Sequence, residues 1–262
     1  MDELRGREVA AQHVRLIERA SARFAADPNV VALLVGGSVA HGYARPDSDV
    51  DLMVVVSEET GQRSIYDPEI ADYEGGYLDA KIVTPAFLAE VAARGSEPAR
   101  WAFKDAIVVF THDPELPALV EAAARYPTEE RDAKLRTFLA LLQIHVWFAG
   151  EADKRADRYL ATYAASRVTL FAGRAILAWN RILYPFHKWL LRELEQAPEQ
   201  PDGLRALIDR MLDEPTQANA QALASTVVDF CGLDVTIGDG AAEFLERTEW
   251  AWRDGDAAPE DL

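Results

Sequence analysis

Strand-like runs in this sequence are confined to its first 110 or so residues, and almost none follow. They are Val30-Val31-Ala32-Leu33-Leu34-Val35, Val50 to Val56, Tyr77 to Val83 and Ala106 to Phe110. Beyond residue 116 apolar residues recur at helical spacing instead. Leu135, Phe138, Leu139, Leu142 and Val146, for example, share one helical face. A chain that places its strands in one stretch and its helices in another folds as α+β in two parts. The expected division is an α/β domain over residues 1–115 and an all-helical domain over residues 116–262.

Within that frame, residues 3–26 read as an opening amphipathic helix ended by Asp27-Pro28-Asn29. Thr84-Pro85 reads as a helix N-cap with proline at the first helical position. In the second part, one long helix is expected from about Asp157 to Tyr184, with Pro185 bending or restarting it toward Glu195. Further helices are expected near residues 204–213, 216–230 and 240–253.

The single cysteine, Cys231, excludes an internal disulfide and fits a reducing, cytoplasmic setting. The first twenty residues are charged throughout, unlike a secretory signal. No stretch offers the roughly 18 uninterrupted apolar residues of a membrane span, since Val168 to Leu183 carries Arg174 and Arg181. A net charge of −17 argues against a sequence-independent grip on nucleic-acid phosphates.

The chemistry is concentrated in residues 35–83. Gly36 and Gly37 follow a strand, where the absence of Cβ atoms lets the backbone turn tightly and approach a ligand. Ser38 then begins a short helix, whose free N–H groups favour phosphate oxygens. Asp49 and Asp51, two residues apart at a strand start, present both carboxylates to one face. Such a pair repels itself unless a cation intervenes, and Mg²⁺ prefers oxygen ligands. Asp79 is a lone acid in the strand-like run Tyr77 to Val83, so it is either a third member of the set or a solvent-facing acid on an edge strand. Asp47 lies outside the S-D-x-D pattern and reads as a loop residue.

The segment GGSVAHGYARPDSDVDLMVV resembles the signature of the DNA polymerase β-like nucleotidyltransferase superfamily: G-G-S, a gap, a glycine, then S-D-x-D-L. The resemblance spans residues 35–56 and is supported more weakly by Asp79. It implies a small mixed β-sheet with helices on one side, followed by a helical bundle that covers the active site and contributes to acceptor binding. Small two-domain members, such as the aminoglycoside nucleotidyltransferases, share that layout. The resemblance further implies ATP as co-substrate and two Mg²⁺ ions held by Asp49 and Asp51. It places the triphosphate against Gly37 and Ser38, and makes Asp79 a general base or an additional metal ligand. The implied reaction is attack of an acceptor hydroxyl on the α-phosphorus with loss of pyrophosphate. A nucleoside monophosphate, AMP in the first instance, would pass to a small-molecule hydroxyl, a cationic aminosugar being one candidate acceptor. Two other readings stay open: a protein-modifying AMP transferase of a toxin–antitoxin type, and a catalytically silent nucleotide-binding or interaction module.

In the helical part, Arg167, Arg174, Arg181 and Lys188 recur every seven residues, a basic row on a largely apolar helix. Either the row pairs with acids of neighbouring helices, or its end, Arg181 or Lys188 with Lys188 the stronger candidate, meets the triphosphate. Arg181 and His187 also satisfy an R-x5-H spacing seen in helical ribonuclease domains. Ile182 and Pro185 depart from that pattern, and chance is the better account. The six tryptophans could stack on a ring substrate, but at helical spacing they read rather as core residues.

Overall fold

The computed structural model describes residues 9–59 and 61–255. The chain forms two compact units that divide after Tyr126.

In the first unit, helix α1 (Ala11–Phe24) leads into β1 (Val30–Val35), a four-residue helix α2 (Gly37–Ala40) and β2 (Val50–Val56). Then come β3 (Ser64–Asp67), β4 (Leu78–Val83), α3 (Pro85–Arg94), α4 (Glu97–Trp101), β5 (Ile107–Thr111) and α5 (Leu116–Ala123). The opening helix matches the expected one over its described part; residues 1–8 lie outside the described residues. Thr84 caps α3 as its sequence indicates, accepting from the Phe87 N–H, with Pro85 in the first turn.

The five strands form one mixed sheet in the order β3-β4-β2-β1-β5. β2 and β4 run parallel, while β1 pairs antiparallel with β2 and β5, and β3 antiparallel with β4. Strand alternation sorts the core into two layers. Leu33, Val35, Leu52, Val54, Leu78 and Ala80 pack with Leu16, Ile17, Ala20 and Phe24 of α1. Leu34, Met53 and Val55 face the other way, against Leu88, Val91, Phe103, Leu116 and Val120. Helices therefore cover both faces, not one. This is why β1 and β2 read as nearly continuous apolar runs. It also draws α5 into the first unit, so that unit extends beyond residue 115.

The second unit is helical throughout its described residues: α6 (Arg131–Arg155), α7 (Arg158–Trp179), α8 (Leu190–Glu195), α9 (Leu204–Asp213), α10 (Gln217–Cys231) and α11 (Ile237–Phe244). α6 and α7 are joined by a tight turn in which Ala156 adopts a left-handed conformation and Asp157 caps α7 through the Leu160 N–H. α7 ends at Trp179, five residues before the expected Tyr184. The Asn180 side chain donates to the carbonyls of Ile176 (2.8 Å) and Glu199 (2.7 Å), and Arg181 takes a positive φ of 56°. Those bonds stop the helix before Pro185 is reached. The core of this unit gathers Leu139, Leu142, Val168, Ile176, Leu223 and Val227 with many neighbours, and Cys231 is a buried free thiol within it.

Candidate active site

β1 ends where the Gly36 N–H donates to the Asp51 carbonyl at 2.9 Å. Gly37 then turns with φ +57°, and a Cβ placed there would stand 1.8 Å from Asp51 Oδ2. Glycine is needed twice over at this position, for the left-handed backbone and for the room the carboxylate occupies. Ser38 is buried within α2, and its carbonyl accepts from the Tyr43 N–H at 2.8 Å. The far end of α2 is anchored by His41, whose ring stacks on Trp101 at 3.8 Å and whose Nδ1 lies 3.2 Å from Asp105 Oδ2.

Parallel pairing of β2 with β4 sets Asp51 directly beside Asp79. Both are partly exposed at the end of the sheet. Lys81, two residues after Asp79 and so on the same face, brings Nζ to 3.9 Å from Asp51 Oδ1 and 3.8 Å from Asp79 Oδ2. Asp49 precedes β2, and Tyr77 hydrogen-bonds to it. That bond, partial burial and the charges of Asp49, Asp51 and Asp79 push the Tyr77 phenol up to about 12. The Tyr73 hydroxyl donates to the Ser48 carbonyl at 2.8 Å, pinning the corner that delivers Asp49. Edge-on to Tyr73 lies His13, almost fully buried; burial holds its pKa below the usual histidine value, against the opposing charge of Asp49.

Asp49, Asp51 and Asp79 thus belong to one acidic corner, and a lysine ammonium lies beside two of them. Among the described residues no group of three or more His, Cys, Asp or Glu is arranged to hold a metal ion unaided. The donor set still fits Mg²⁺, which binds through one or two carboxylates and completes its shell with water and substrate phosphates.

Sequence reasoning picked out Gly37, Ser38, Asp49, Asp51 and Asp79, all of which lie in the first unit. It assigned no role to Lys81, Tyr77, Tyr73 or His13. For Lys81 a signal was present, since its i+2 spacing from Asp79 puts both on one face of β4. Asp47 is an exposed loop acid paired with Arg45 at 3.0 Å.

Lys188 lies in the second unit, exposed on the short turn His187–Trp189, its Nζ 5.1 Å from the Trp189 ring. The basic row is not continuous, because α7 stops before Arg181. Its two members on α7 lie over aromatic rings: the Arg174 guanidinium is 4.2 Å from both Phe138 and Tyr184, and that of Arg167 is 5.0 Å from Phe171. With Arg181 beyond the helix and His187 on a separate turn, the R-x5-H spacing does not fall on one helix.

The fold is that of a nucleotidyltransferase domain. Residues 15–155 match the family described as nucleotidyltransferase domain, more than half of the chain. The chain belongs to that family, whose chemistry is nucleotidyl transfer. No curated protein matches it. Among solved structures it is similar to a nucleotidyltransferase-like protein from Exiguobacterium sibiricum 255-15. That likeness has 12% identity and a TM-score of 0.49, covering 88% of this chain and 78% of the other. Among the described residues, no helix is long and apolar enough to cross a membrane.

Proposed function

We propose that the protein transfers a nucleoside monophosphate, AMP from ATP, to the hydroxyl of a small-molecule acceptor in a Mg²⁺-dependent reaction. The observation that carries this reading is the Asp51 carboxylate, seated against the bare backbone of Gly37 with Asp79 at its side in register. Asp49 and Asp51 would hold the metal, with Asp79 as a further ligand or as the base. When bound, Mg²⁺ neutralises charge on the phosphate oxygens and makes the α-phosphorus a better electrophile. The backbone of Gly37 and Ser38 holds the triphosphate close to the carboxylates, because no side chain at residue 37 intervenes. Asp79 accepts the acceptor's proton as its oxygen attacks the α-phosphorus; the bond to the β-phosphate bridging oxygen breaks and pyrophosphate leaves.

Asp51→Asn tests the assignment. Pyrophosphate release with ATP, Mg²⁺ and an acceptor alcohol should fall by at least a hundredfold while circular dichroism stays native. Near-normal turnover in the folded variant would remove Asp51 from the chemistry.

A further inference from the structure

We infer that the pocket beside the acidic pair receives the apolar body of the acceptor, making the substrate a neutral, ring-bearing alcohol. This rests on the transfer reading above and narrows it. A cavity of about 410 Å³ opens along the sheet face that carries Asp51 and Asp79. That is far more than the roughly 30 Å³ share of one water, and within the range of small-molecule sites. Its floor is an extension of the catalytic strands: Met53 follows Asp51 by two residues, and Val83 follows Asp79 by four, so alternation keeps them all on one face. Phe87 and Phe103 add aromatic surface. The Phe87 ring stays 43% exposed at this apolar opening.

Position argues for the acceptor over the nucleotide. Met53 and Ala102 of the lining also border Gly36, but the pocket draws three consecutive residues, 81–83, from the strand that carries Asp79, and Thr84 directly after it. Lys81 belongs both to the pocket lining and to the acidic corner. A hydroxyl at this junction can donate to Asp79 and accept from Lys81 Nζ, leaving its ring among Met53, Phe87 and Phe103.

Charge argues against a polycation. The charged groups lining the pocket are Lys81, Arg63 and Glu59, two cations to one anion, and the neighbouring acids already face Lys81. An aminosugar would bring ammonium groups to lysine and arginine.

The chain contains three methionines, Met1, Met53 and Met211, so ¹³C-methyl labelling places a reporter inside the pocket and a control at Met211, buried in the helical unit. Benzyl alcohol, titrated in EDTA without nucleotide, should shift the Met53 methyl saturably in the millimolar range and leave Met211 unmoved. Glucosamine should need at least tenfold more. Ala99→Phe, which fills the pocket from α4, should abolish the benzyl alcohol response while Mg-ATP affinity by calorimetry stays within threefold. An unmoved Met53 overturns the proposal, and so does glucosamine acting at equal concentration. Mg-ATP that shifts Met53 and displaces the alcohol would give the pocket to the nucleotide instead. The wild-type titrations do not depend on the variant folding. They are independent of turnover, which the Asp51→Asn assay reads separately.

Discussion

Gly37 and the Asp51 carboxylate share a space that admits only one of them: a Cβ at residue 37 would meet Asp51 Oδ2 at 1.8 Å, Cγ at 2.5 Å and Cβ at 2.8 Å. Gly37→Ala must therefore displace a carboxylate, and must also hold alanine at φ +57°, which by itself strains the backbone by about 1–2 kcal/mol. Pyrophosphate release should fall at least a hundredfold, with thermal unfolding lowered by several degrees. A variant that keeps full activity would show that the position of Asp51 does not matter.

Asp79 is expected to act as the base. Asp79→Asn should lower the single-turnover rate a hundredfold or more while leaving Mg-ATP affinity within about threefold, under ~0.7 kcal/mol. A parallel fall in affinity would make it a metal ligand instead. Of the other acids near β4, Asp72 is poorly placed to substitute, being held by Arg15 at 2.9 Å and Arg19 at 2.8 Å.

Lys81 supplies a built-in positive charge to Asp51 and Asp79. Because its side chain is 57% exposed, the pairing is screened and is worth at most about 1 kcal/mol. Lys81→Met should accordingly raise Mn²⁺ affinity, measured by calorimetry without nucleotide, two- to fivefold. An unchanged affinity would mean that the ammonium does not compete with the metal.

His145 gives the helical unit a pH dependence. It is fully buried on α6; its Nδ1–H donates to the Leu141 carbonyl at 2.6 Å, and the Tyr163 hydroxyl donates to Nε2 at 3.4 Å. Those partners fix the neutral tautomer. Burial pushes the imidazole pKa down to about 4, with a smaller push from the Arg167 charge. The unfolded chain takes up this proton near pH 6.5, so stability should decline as pH falls from about 6.5 to 4 and level off below. The full loss is on the order of 3 kcal/mol. In urea unfolding across that range, His145→Asn should flatten the decline; an unchanged slope would assign it to other groups.

The sequence shows some of these elements plainly and hides others for identifiable reasons. β1 and β2 are legible to the residue, because helices on both faces demand nearly continuous apolar runs, broken in β2 only by Asp51, and Gly36 stops the first. β3 escapes notice: Ser64–Asp67 is four residues long, and exposed and half-buried positions alternate along it at the sheet edge. The end of α7 is hidden because Ile182 and Leu183 prolong the apolar pattern, whereas the stop comes from Asn180 bonding to Glu199, nineteen residues away. The face taken by Asp51 is readable from strand alternation, whereas Asp49 lies just before β2 and is placed by its bond with Tyr77. That Lys81 also reaches Asp51 depends on the register of two strands far apart in sequence, which no local pattern encodes.

The parallel pairing of β2 and β4 separates two properties that could have been entangled. Asp51 and Asp79 are aligned by the backbone ladder, so residues can be added or removed between Val56 and Ser64, ahead of β3, without shifting one acid against the other. A single insertion within either strand would instead turn an acid onto the face covered by α1. Part of that tolerant crossover, around Glu59 and residues 61–63, lines the pocket beside the acids. On the proposed reading, length changes there would reshape which acceptor is admitted while Asp51 and Asp79 keep their spacing, so new specificities would arise by loop variation alone.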